Sequence, residues 1–68
     1  MQILAEHKTP GDYATRPGAV QLINRATTHQ PFVTCWQGDG DSSWCWGHYF
    51  QTESDARSDY AHRVKRGY

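Results

Sequence analysis

Between Ser43 and Gln51 the chain reads Ser-Trp-Cys-Trp-Gly-His-Tyr-Phe-Gln, with a large ring at almost every second position. A period of two marks a strand, whose successive side chains point to opposite faces. The alternation predicts Trp44, Trp46, His48 and Phe50 on one face and Cys45, Gly47 and Tyr49 on the other. Phe32 to Gln37 reads as the partner strand. Gly38-Asp39-Gly40-Asp41-Ser42 between them reads as a hairpin turn, because Gly and Asp tolerate positive φ angles. A three-residue loop sets Cys35 opposite Cys45 and Trp36 opposite Trp44. A two-residue turn shifts the register by one and sets Thr34 opposite Cys45.

The pattern changes period after Phe50. Ala56, Tyr60 and Val64, with Ala61 beside them, form a narrow stripe at helical spacing, predicting a helix over 53–66. Thr52 can cap its start, and Glu53, Asp55 and Asp59 suit the first turns. Arg63, Lys65 and Arg66 suit the last turns, and Gly67 is a natural C-cap. Glu53 with Arg57 and Asp59 with Arg63 are i,i+4 pairs in the favourable orientation.

The first half is less regular. Met1 to Ala5 reads as a short strand. Lys8 to Gly18 holds Thr9-Pro10-Gly11-Asp12 and Arg16-Pro17-Gly18, which is turn chemistry, with Tyr13 as an anchor to the core. Ala19 to Thr28 fits helical spacing at Ala19, Leu22, Ile23 and Ala26. It also fits alternation at Val20, Leu22 and Asn24. A Pro17-Gly18 start is poor for a helix, which tips the balance to a strand turning near Thr28-His29-Gln30.

The expected fold is α+β, in one domain over 1–68. A small antiparallel sheet holds the hairpin 32–37/43–51 and a further strand, and the C-terminal helix packs on one face. Starting straight after Phe50, that helix should cover Trp46 and Phe50, or Cys45, Gly47 and Tyr49. Trp36 and Trp44, beside the turn, should be the least covered rings.

Sixty-eight residues lie near the lower limit for a core that folds alone, where a staple or a second copy in a homodimer often helps. The apolar run at Met1–Ala5 is too short for a signal-peptide core, and nothing approaches a membrane span. The expected setting is therefore a cytoplasm, the cell's own or a host's, where Cys35 and Cys45 stay thiols. Both are read as small apolar residues under the helix.

Seven basic residues balance seven acidic ones. Nucleic-acid binders ordinarily carry a basic excess, so neutrality disfavours that class. Ligand-type side chains occur at His29, Cys35, Cys45, His48 and His62, without metal-knuckle spacing. Cys45 and His48 belong to opposite faces of one strand. Asp39-Gly40-Asp41-Ser42-Ser43 starts like an EF-hand loop, but Trp44 and Phe50 occupy the glycine and glutamate positions. Ser42, Ser43 and His48 sit in no catalytic context, so the chain is read as non-enzymatic, with no cofactor.

What remains is binding. Trp, Tyr and Arg are the usual hot-spot residues. The expected contact residues are Trp36, Trp44, Asp39 and Asp41 at the hairpin end, with Arg63 and Arg66 as a second patch. The expected partner is a larger protein or nucleoprotein complex, occupied rather than chemically altered. By analogy of size with accessory proteins of phages and mobile elements, an inhibitor of a host enzyme or defence complex, of the anti-CRISPR kind, fits. The alternative is a single-stranded nucleic-acid binder that stacks bases on the hairpin rings and holds phosphates with the basic helix end.

Overall fold

The computed structural model describes residues 1–11 and 16–68. The Tyr13 anchor lies outside them. Four strands, β1 (Gln2–Thr9), β2 (Gly18–Asn24), β3 (Phe32–Gly38) and β4 (Cys45–Phe50), form an antiparallel meander in the order β1-β2-β3-β4. The helix α1 (Glu53–Arg66) lies across β2, β3 and β4. The α+β plan and the helix limits agree with the sequence. Thr52 caps α1 through a hydrogen bond from the Asp55 amide, and Gly67 closes it in the left-handed conformation at φ 88°.

Ala19 to Asn24 is strand, as the weak start at Pro17-Gly18 implied. β2 is one of the two inner strands and is buried along nearly its whole length. β1 is longer than Met1–Ala5, because Glu6, His7, Lys8 and Thr9 continue the ladder to Gly18. Its polar side chains suit an edge strand, where charge discourages pairing with other chains. The reversal after β2 is held locally. Asn24 accepts from the Ala26 amide, Arg25 donates to the Gln30 carbonyl, and Gln51 bonds both Thr28 and Gln30.

The hairpin departs from both expected registers. Trp36 pairs with Cys45, Thr34 with His48 and Phe32 with Phe50. One residue lies between Thr34 and Trp36, but two lie between Cys45 and His48, so β4 carries one extra residue. This is a β-bulge, and Trp46 sits in it with φ 54°. The connection is also longer than a tight turn, running over 39–44. The Asp41 amide donates to Gly38 and the Gln37 side chain to the Asp41 carbonyl.

The bulge breaks the alternation. Trp46 and His48 face α1, but Trp44 crosses to the other face and packs on Ile23, Val33 and Cys35. Tyr49 goes with it, accepting a 3.4 Å hydrogen bond from the Trp44 indole. The expected pairing of Trp36 with Trp44 is therefore absent, and so is that of Cys35 with Cys45. Cys35 is buried on the face away from α1, and Cys45 is exposed, so neither lies under the helix.

The core is built from Ala19, Val20, Leu22, Ile23, Val33, Cys35, Trp36 and Ala56. Trp46 and Tyr49, expected in it, are exposed; Phe50 is half-buried.

Candidate binding surface

The helix-to-sheet interface is unusually polar. Arg63, only 1% exposed, reaches under α1 to the sheet. Its Nη1 donates to the Thr34 carbonyl at 3.1 Å, the Thr34 hydroxyl at 3.3 Å and the Trp46 carbonyl at 2.6 Å. Its Nε donates to the Tyr68 carbonyl at 3.2 Å. The Thr34 hydroxyl donates in turn to Asp59, whose carboxylate also meets His48 Nδ1 at 2.9 Å. Burial works to raise the Asp59 carboxyl. The hydrogen bonds from Thr34 and His48, with the charges of His48 and Arg63, outweigh it and hold the group below its ordinary value. A buried charge is costly unless it is hydrogen-bonded, and these four bonds, with the charge of Asp59 nearby, offset part of that cost; burial still lowers the Arg63 guanidinium from its ordinary value.

Above this network lies a row of rings. Trp36 is 3% exposed. Its indole lies over Gly18, where an added Cβ would come within 2.5 Å of the ring, and donates to the Thr9 hydroxyl at 3.2 Å. Trp46 stacks at a tilt on Trp36 with centroids 5.4 Å apart, and Tyr68 meets Trp46 edge-on at 5.9 Å. Both distances fall in the favourable range for aromatic pairs. Trp46 nonetheless remains 58% exposed, so its outer surface is free for contact. A bulky residue with positive φ is a genuine backbone outlier, and such outliers concentrate at functional sites. Three contacts hold this one in place: Arg63 on its carbonyl, Trp36 beneath its ring and Tyr68 at its edge.

Cations flank the row. Arg16 stands 5.5 Å from the Trp36 ring and Arg66 stands 5.3 Å from the Tyr68 ring. Arg16 also makes a two-pronged pair with Asp41, at 2.9 and 3.2 Å. The hydrogen bond to Arg16 lowers the Asp41 carboxyl.

The expected contact residues thus scatter. Trp36 is core beneath the row. Trp44 is half-buried on the opposite face. Arg63 is internal, because its four hydrogen bonds need it under the helix, and it presents no charge to a partner. Asp39 is exposed in the turn, its amide bonded to Pro17. Asp41 is engaged by Arg16. Arg66 alone lies in the exposed aromatic row. Trp46, Tyr68 and Arg16 were missed. Gly47 inside a strand pattern was the only local hint of the bulge that exposes Trp46. Arg16 joins the row through the fold that brings the start of β2 beside Trp36, which no local spacing reveals.

Among the described residues no three of His, Cys, Asp and Glu gather as metal ligands, and no helix is long and apolar enough to cross a membrane. Burial pushes the Cys35 thiol up to about 11, so it is a poor nucleophile. Comparison with protein-family models, curated proteins and solved structures finds no match, so the functional reading rests on these residues alone.

Proposed function

We propose that this chain is a non-enzymatic binding module that occupies a surface of a larger protein, with Trp46 at the centre of the contact. The observation that carries the reading is the exposed indole of Trp46 on a left-handed backbone, tied down by a buried arginine. Backbone strain of this kind costs on the order of 1–3 kcal/mol and persists only where its surroundings enforce it. A rigid, amphipathic ring loses little entropy on binding, which is why Trp and Tyr dominate hot spots. Tyr68 and Arg66 extend the patch. An inhibitor is the narrower case, in which the occupied surface is the partner's own working surface.

The test is differential capture from the native host by wild type, Trp46→Ala and Trp44→Ala, each checked for fold by its amide NMR spectrum. Trp46→Ala should keep the fold and lose the partner, and Trp44→Ala should keep the partner if it keeps the fold. A folded Trp46→Ala variant that captures the same protein as wild type overturns the reading.

A further inference from the structure

The helix covers one face of the sheet. On the other face, over β2, lies a trough of about 230 Å³ between β1 and the 39–44 connection. Strand register orders its lining. Met1 and the Ile3–Ile23 pair form one end. Gln21 comes two residues along β2, and Gln37, opposite Ala19, lies two further on. Ser42 and Ser43 follow Asp41, whose carbonyl the Gln37 amide holds, so they belong to this second end. Trp44, packed on the cluster of Ile23, Val33 and Cys35, completes the lining. The trough thus runs from apolar to polar, and no charged side chain lines it among the described residues. We infer that it is a binding site for a small uncharged aromatic molecule with one head group that both donates and accepts hydrogen bonds, independent of the protein that Trp46 engages on the opposite face.

Gln21 fixes the head group. It is only 6% exposed, yet it lines the trough. Its Nε2 donates to Glu6 at 2.8 Å and its Oε1 accepts from the Cys35 thiol at 3.8 Å. A primary amide carries two N–H donors and two lone pairs. Among the described residues, Gln21 therefore has one of each to spare, which matches a neutral head that accepts and donates together. The apolar end fixes the body. The Trp44 indole N–H is spent on Tyr49, so its ring offers only apolar surface. Ile3 remains 52% exposed, so this end lacks a cover. Size follows from volume, since a dry apolar cavity of roughly 150 Å³ takes a benzene ring. About 230 Å³ takes one substituted ring. Ions are disfavoured, because a charge here would lose water and gain no counter-charge from the lining. Glu6 and Lys8 pair with each other, outside that lining.

The experiment titrates the full chain with benzamide, toluene, benzoate and benzylammonium, read by 15N shifts of backbone and side-chain N–H groups. Benzamide should move Ile3, Ile23, the Gln21 side-chain amide and the Trp44 indole. It should bind at least about tenfold more tightly than toluene, which leaves the Gln21 amide unanswered, and than either ion. Gln21→Leu replaces the amide by an apolar branch and should reverse the preference, so that toluene binds more tightly than benzamide. Ile3→Asp, at an exposed position, brings a charge into the apolar end and should abolish binding while the amide spectrum retains the fold. It decides the matter should Gln21→Leu fail to fold. Arg57→Gln, on α1 and paired with Glu53, should change nothing. The inference is overturned by no shift at about 10 mM benzamide, by shifts confined to the α1 side, or by any of the other three probes binding wild type as tightly as benzamide. It is equally overturned if raising the protein concentration alone moves the same signals, because a second copy of the chain is then the occupant.

Discussion

The Arg63 guanidinium donates to the backbone carbonyl of Trp46 across 2.6 Å, from a side chain that is itself buried. A charge is thus placed inside a very small protein to hold one peptide group of an exposed residue. The same guanidinium grips Thr34 on β3 and the carbonyl of Tyr68, so it links helix, sheet and aromatic row.

Replacing Arg63 should therefore cost much more than a surface arginine would. Arg63→Met leaves the carbonyls of Thr34 and Trp46 without their donor and Asp59 with less positive charge nearby. A loss of about 3 kcal/mol or more is expected. Urea denaturation measures it, and Arg57→Met on the exposed side of α1 serves as control with a change under about 0.5 kcal/mol. An Arg63→Met change of less than about 1 kcal/mol would show that the network is not formed in solution.

The bulge makes an unusual demand on position 46. Glycine is free in the left-handed region and alanine is not. Trp46→Gly should thus be more stable than Trp46→Ala by about 1 kcal/mol, although glycine ordinarily weakens a strand. Thermal unfolding of the two variants decides this, and the reverse order would place Trp46 in ordinary extended backbone.

Asp59 sets an acid limit. Its carboxyl lies below the ordinary value of 3.8 in the folded state, so its contribution is fully present above that value. The contribution is lost as pH falls through the folded-state pKa, because the unfolded chain takes up the proton first. Stability of wild type should fall more steeply between pH 5 and 2 than stability of Asp59→Asn, measured by urea unfolding in that window. Parallel curves would remove Asp59 from the network.

The two thiols should differ sharply. Cys45 is exposed, whereas Cys35 is buried and pushed up to about 11. A thiol reagent at pH 8 should label one cysteine quickly in the native protein and both in urea, with mass spectrometry placing the fast label on Cys45. Rapid native labelling of Cys35 would contradict its place beside Ile23 and Val33. Because the folded-state value exceeds the ordinary 9.0, Cys35 also favours the folded state below that value and ceases to as pH rises towards 11.

The sequence was most legible where short-range chemistry decides. Thr52, the charge gradient and Gly67 bound α1 to the residue, and Pro17-Gly18 correctly pointed Ala19–Asn24 towards a strand. It was least legible where one inserted residue changes everything downstream. The hairpin carries strong turn residues, but Asp41 turns back to Arg16 and Gly38 instead of closing a tight loop. The bulge at Trp46 then reverses the faces of the residues before it. Trp44 and Trp46 consequently exchange their expected roles, and Trp36 becomes core because Gly18 leaves room for its ring. Arg63 was legible as a helix-end cation. Its burial depends on Thr34, Trp46 and Tyr68 converging from three other places in the chain.

The exposure of Trp46 over Trp36 and Trp44 is tested most directly by the three indole N–H signals in one 15N spectrum, followed during hydrogen exchange and with a soluble paramagnetic relaxation agent. Trp46 should exchange first and broaden most. Trp44, half-buried against Tyr49, should follow. Trp36, buried and bonded to Thr9, should be the slowest and least broadened. Fast exchange and strong broadening at Trp36 and Trp44 together, with Trp46 protected, would contradict the bulge, the aromatic row and the binding surface built on them.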